Sequence, residues 1–505
     1  MRKLVLLLAT ASSLCLSGGA FAAGTMNVAL IGEVDTLDPM ISTKAVVNMV
    51  TQHFYETLYA LDESWEPQPL LAAGPPEYSN GDKTIRIPLR TGIKFHDGSD
   101  MTSADVVDSL NRWLEVSPRA KEFKPLVKTI TADGDDAIVI ELTDSYAPLL
   151  SLLSFPSAPP VVVPQEIISA DQLTATVGTG PYTLAEYKPD QYMRATRFDG
   201  YQSPEGAPSF LAGERQQNLD EIRFIPVPDA NTRMEGLASG QFDYADGIQI
   251  ENYDRLLESD ATEPVLMEDA FAPNFALNHK AGLMTNPDLR KAVQYALAPE
   301  DMLLAAVGND VFFEADGALY PKGHVWHNEA GVEEYNVNDP ARAKQHLDAG
   351  GYDGTPLRIL TSHQYEFHFK MAEVAKFYLE NAGFKVELVV VDWATLGEKR
   401  NDPKEWDIYI THSPFLPDPA INQLLSADSN IGWSDPEKDA ALKELATETD
   451  LEARKEIFAH IQELYFRDVP YIKVGNISEL RGSRKGVTGV PLGPWMVFWN
   501  AKLPD

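Results

Sequence analysis

One cysteine, Cys15, is all the thiol in 505 residues. It lies in a stretch with the pattern of an export leader: Arg2 and Lys3, the apolar run Leu4 to Leu8, and the small-x-small signature Ala20-Phe21-Ala22, which predicts cleavage after Ala22. A lipid-anchored form would need a small residue ahead of the cysteine, where Leu14 stands. The body left after cleavage has no cysteine, so disulfides and thiol chemistry are excluded and stability rests on burial. Basic residues are the second scarcity. Against 75 Asp+Glu there are 42 Lys+Arg, a net charge of −33, which excludes nucleic acid as a partner and repels anionic lipid. Long apolar runs are missing too: the leader falls short of the roughly 20 residues that span a bilayer, and no later segment reaches that length. The bacterial periplasm suits all three absences.

Catalytic signatures are also missing. No Gly-Lys dipeptide occurs, which removes a phosphate-cradling loop, and Gly178-Thr179-Gly180 lacks the third glycine of a dinucleotide fingerprint. Neither a G-x-S-x-G elbow nor an H-E-x-x-H helix is present. His363, Glu366 and His368 have no regular ligand spacing and read as solvated or hydrogen-bonded groups, so neither metal nor cofactor is expected. Carboxylates are too many for a chance pair to signal glycoside cleavage.

What the sequence does have is 44% apolar and 10% aromatic residues, ample for large cores. Strand patterns at Asn27 to Ile31, Thr84 to Leu89, Ala137 to Leu142, Tyr182 to Tyr187 and Glu221 to Pro226 alternate with helical spacing at Val46 to Tyr59 and Ser103 to Trp113, the latter capped at Ser103. From Asn274 longer helices dominate, at Asp288 to Ala298, Asp339 to Ala349, Phe367 to Ala382 and Glu437 to Tyr465. Strands at Arg358 to Leu360, Lys385 to Val390 and Asp407 to Ile410 lie between them, which predicts an α/β lobe.

The run Phe95-His96-Asp97-Gly98-Ser99-Asp100-Met101-Thr102-Ser103-Ala104-Asp105-Val106-Val107 resembles the signature F-x-D-G-x-x-x-[ST]-A-x-D-V of the family 5 extracellular solute-binding proteins, the dipeptide, oligopeptide and nickel receptors of ABC importers. Further resemblance lies in Asp35 to Pro39, Phe54 to Leu58, Val177 to Tyr182, Arg290 to Leu297 and Asp339 to Lys344. The resemblance implies a two-lobed α/β periplasmic binding protein (type II, cluster C) with an extra subdomain in lobe I and a hinge between the lobes. The expected division is a signal peptide over 1–22, lobe I over 23–55, its extra subdomain over 56–177, lobe I again over 178–273, lobe II over 274–475 and a C-terminal return to lobe I over 476–505. Gly178 and Gly180 are expected to supply backbone angles closed to other residues.

The implied work is binding, not catalysis: capture of a peptide or peptide-like solute, delivered to a permease and ATPase at the inner membrane by a monomeric receptor. An oligosaccharide or opine-like conjugate is the alternative solute, and a secreted hydrolase the alternative class. Peptide-binding members usually carry an acid four residues ahead of the proline in the Asp418-Pro419 segment. Phe415 stands there, and a residue near Tyr365 replaces their carboxylate-gripping arginine. Both ionic anchors are therefore expected to be absent. The candidate ligand contacts are Ser42 and Thr43 from the first lobe and Tyr365, Trp393, Tyr409, His412, Phe415 and Asp418 from the second.

Overall fold

The computed structural model describes residues 24–504, so the leader and its cleavage site lie outside the described residues. A twelve-stranded sheet runs through the molecule. On one side the strand Thr25–Leu30 is parallel to both Glu221–Pro226 and Tyr244–Ala245. On the other, Leu357–Ser362 is parallel to Val386–Val391 and Ile408–Ser413. The two halves are joined by the 16-residue strand Thr262–Leu277. Its first part is antiparallel to Asn476–Arg484, and its last six residues are antiparallel to Ile408–Ser413. The register shifts between Met267 and Phe271, where Asp269 adopts a φ of 50°, so the strand changes partner at a bulge.

A separate four-stranded sheet, Glu77–Ser79, Thr84–Pro88, Ala137–Leu142 and Val127–Ala132, forms the subdomain of the first lobe. Helix Ser103–Val116 packs on it. Its cap is Thr102, one residue before the expected Ser103, because Thr102 and Asp105 satisfy each other's backbone in a reciprocal capping box. Ahead of it the Asp97-Gly98 turn closes with the Gly98 N–H on the Phe95 carbonyl at 2.9 Å, and Gly98 has a φ of 89°.

Side chains of the second lobe alternate across its sheet. Ile359, Ile408 and Ile410 join one core with Met371 and Leu379, while Leu360 and Tyr409 face the opposite core with Trp406 and Phe458. The expected helix over Glu437 to Tyr465 is two helices, Pro436–Thr447 and Leu451–Asp468, because Asp450 caps the second by accepting from the Ala453 N–H. The helix expected to reach Tyr59 stops at Thr51. Among the described residues no helix is long and apolar enough to cross a membrane.

Most of the recurrent motifs are structural. Asp38 forms a buried ion pair with Arg112. Glu56 meets Arg215 at 2.7 Å and accepts from the Thr179 and Tyr201 hydroxyls, each at 2.7 Å. Gly178 and Gly180 do not have positive φ. They are required by close approach: a Cβ on Gly178 would fall 2.3 Å from the Phe54 carbonyl oxygen, and one on Gly180 2.6 Å from that of His53.

Candidate functional site

A cavity of about 740 Å³ lies between the subdomain of the first lobe and the second lobe. Pro118, Arg119 and Glu122, just beyond the end of helix Ser103–Val116, form one wall with Tyr146 and Leu152. Facing them, Asn274 comes from the shared strand, Phe415 from the loop after strand Ile408–Ser413, and Lys473 from the end of the short strand Tyr471–Lys473. Chain segments far apart in sequence thus enclose a single space.

Its inner surface is aromatic. Tyr320 and Phe415 lie 6.2 Å apart between ring centroids, and the Tyr320 hydroxyl is buried with no hydrogen-bond partner among the described residues. Burial pushes that phenol well above its usual pKa, so it stays a neutral donor. Lys473 is 2% exposed; its ammonium donates to the carbonyls of Asp316, at 3.1 Å, and Ala318, and burial lowers its pKa to about 8 despite the nearby Asp316. Arg119 stacks 5.1 Å over the Phe155 ring and donates to the Ser157 hydroxyl at 3.2 Å. The site therefore offers apolar faces with a few fixed polar groups, the usual make-up of a small-molecule pocket.

Of the residues singled out in the sequence, Phe415 lines this cavity. Tyr365, Trp393 and His412 come together elsewhere, in an aromatic group with Phe367 and His368: Tyr365 lies 4.8 Å from both Trp393 and His412, and His412 Nδ1 is 3.2 Å from His368 Nε2. Burial lowers the pKa of His368 to about 3 and of His412 to about 4, so both are neutral at pH 7. His363 is exposed and lies against Phe369, apart from that pair.

Tyr409 is 2% exposed and packs edge-on to Trp406, on the core side of its strand. Asp418 is fully buried in a two-oxygen ion pair with Arg454, each contact 2.9 Å, and caps the next turn through the Ala420 N–H. Ser42 is buried, its hydroxyl accepting from the Lys44 N–H at 3.2 Å, while Thr43 is exposed. None of Ser42, Thr43, Tyr409 and Asp418 is part of the cavity wall. Two basic groups that the sequence reading did not single out line the cavity, Arg119 from a loop and Lys473 from a strand end. Their sequence contexts, Ser-Pro-Arg and Tyr-Ile-Lys, carry no periodic or motif signal.

A family model described as bacterial extracellular solute-binding proteins, family 5 Middle, matches residues 66–434. A probable peptide ABC transporter periplasmic-binding protein, y4tO, of Sinorhizobium fredii is 25% identical over 489 residues, 92% of this chain and 91% of the relative. The glutathione-binding protein GsiB of Salmonella choleraesuis is 25% identical over 499 residues, 94% of this chain and 93% of that protein. Among solved structures, the ABC transporter substrate-binding protein CtaP of Listeria monocytogenes superposes with a TM-score of 0.82 at 20% identity, covering 96% of this chain and 100% of that one.

Proposed function

Because the chain belongs to the bacterial extracellular solute-binding proteins of family 5, we propose that it is the periplasmic receptor of an ABC importer and takes a peptide or peptide-like solute into the cavity between its lobes. One observation carries this reading: the 740 Å³ space has walls from both lobes, so an occupant touches both at once. A solute that makes contacts only when the lobes approach stabilises the closed form by that difference in contacts, and closure is the state a membrane permease reads. The names of the relatives, a peptide receptor and a glutathione receptor, support a peptide-like solute.

Two crossings suit a hinge. One is the bulge between Met267 and Phe271. The other is Gly475, which has a φ of 148° and where any Cβ would fall 2.6 Å from the Glu314 carbonyl oxygen, so no side chain fits. They lie close to the lobe boundaries at 274 and 475 read from the sequence. The same reading includes cleavage of a leader after Ala22, release as a monomer into the periplasm, partnership with permease and ATPase subunits, and no catalysis. Glu122 and Asp428 are the cavity's acids, and they stand on different lobes, Glu122 at an exposed position, a poor arrangement for a buried acid pair.

Mass spectrometry of the solute released on unfolding the protein purified from periplasm tests the proposal. A peptide or peptide conjugate, returned unaltered after rebinding, is expected. A neutral glycan would overturn the peptide reading, and a cleaved product would overturn the receptor reading.

A further inference from the structure

Arg119 has a cation's worth of unanswered charge inside the cavity. Its guanidinium is partly buried in the cavity wall, flanked by the Phe155 ring at 5.1 Å, and its one side-chain hydrogen bond is to the neutral Ser157 hydroxyl. The Nε–H is buried and has no partner among the described residues. No carboxylate among them pairs with Arg119, whereas four of the fully buried arginines have one: Arg112 has Asp38, Arg215 has Glu56, Arg454 has Asp418 and Arg481 has Asp246. Arg290 and Arg233 instead spend their donors on three or more backbone carbonyl contacts. Arg119 has neither remedy.

A desolvated cation with unused donors is unfavourable until an anion reaches it, and a guanidinium offers its donors in the forked geometry that fits a carboxylate. We propose that Arg119 is the anchor for a carboxylate of the solute, so that the receptor takes acid-bearing peptides or conjugates and holds their acidic end against the first lobe. The proposal rests on the receptor reading of the same cavity. It also orients the solute. The facing wall presents Asn274, the Tyr320 hydroxyl and the ring of Phe415, which are neutral, the carboxylate of Asp428, which repels an acid, and Lys473, two of whose three donors are already held by carbonyls. The acidic end therefore finds its free cationic donors at Arg119. An uncharged sugar would leave the guanidinium desolvated and unpaired, which sets neutral oligosaccharides at a disadvantage.

The test uses the mature protein, stripped of solute by reversible unfolding, and a library of di- to tetrapeptides offered both as free acids and as C-terminal amides, read by thermal shift and titration calorimetry. With the wild type, free acids should bind roughly 10- to 100-fold more tightly than their amides, the range expected when a charged hydrogen-bond partner is lost. Arg119→Gln should bring acids and amides to equal affinity, and Arg119→Lys should restore part of the difference. The unliganded Arg119→Gln protein should melt no lower than the wild type, because the side chain removed is one with unmet hydrogen-bonding capacity. Equal binding of acids and amides by the wild type, or an acid preference that survives Arg119→Gln, overturns the anchor while leaving the receptor reading in place. Failure of both sets to bind, with the fold intact, overturns the peptide reading and the anchor with it.

Discussion

The backbone N–H of Ala147 donates to the carbonyl of Ala446 at 2.9 Å, tying the subdomain of the first lobe directly to the second lobe. The Thr449 hydroxyl reaches Asp82 Oδ2 at 2.8 Å nearby, and the Ser151 hydroxyl reaches Asp418 Oδ2 at 3.4 Å. These bonds join the same two bodies that wall the cavity, so their strength adds to whatever the solute contributes to closure.

Thr449→Val removes one such bond without changing the cavity. A net hydrogen bond is worth about 0.5–1.5 kcal/mol, so binding of the solute recovered from the protein should weaken roughly 2- to 10-fold, mostly through faster release. Stopped-flow dissociation rates check this; unchanged rates would mean that the contact does not contribute to closure.

Arg454→Leu should leave Asp418 fully buried without its cation. Breaking a buried pair on one side costs about 3–5 kcal/mol. Urea unfolding should show that loss as a lower midpoint with unchanged slope, and adding Asp418→Asn should recover part of it by removing the stranded charge.

Trp393→Ala tests whether the aromatic group around His412 belongs to the site. Trp393 is half-buried against Tyr365, His368 and His412 and lies away from the cavity wall. The variant should lose about 1–3 kcal/mol of stability, less than full burial of a tryptophan would imply, while keeping the increment in melting temperature that the solute gives. Loss of that increment with an unchanged unliganded melting point would move the site to this group.

His53 sets a pH dependence. Its Nδ1–H donates to the Met49 carbonyl at 3.0 Å and its Nε2 accepts from the Phe498 N–H at 3.0 Å, an arrangement that needs the neutral ring. Burial lowers its pKa from 6.5 to about 3. The unfolded chain takes up the proton first as pH falls, so stability present above pH 6.5 is lost progressively between about 6.5 and 3. At pH 5 this one group should account for about 2 kcal/mol of the loss relative to pH 7. His53→Gln should be less stable at pH 7 but lose that much less on acidification, measured by urea unfolding at the two pH values.

The fold was legible in the sequence because its signals are local. Asp97-Gly98 and the helix behind it are fixed by close neighbours in the chain, and Asp339 caps its helix by accepting from the Ala341 and Arg342 N–H groups. The long strand Thr262–Leu277 was not legible: Pro264 and Pro273 interrupt it, and its two halves obey different partners. The site was mostly hidden for a related reason. Tyr409 and Phe415 look alike as aromatic residues near a strand end, and both pack into the same core; only Phe415, in the loop beyond the strand, also reaches the cavity. Arg119 and Lys473 meet the same space from positions with no shared spacing. The ion pairs of Asp38 and Glu56 explain why motif residues can be specific for the family and still not touch a solute.

Small-angle scattering of the mature protein, stripped and then saturated with a tight-binding peptide, reaches the central claim most directly. A smaller radius of gyration on saturation, reversed when the peptide is removed, is the result that closure of two lobes on a shared occupant requires. Superimposable profiles at full occupancy would contradict it.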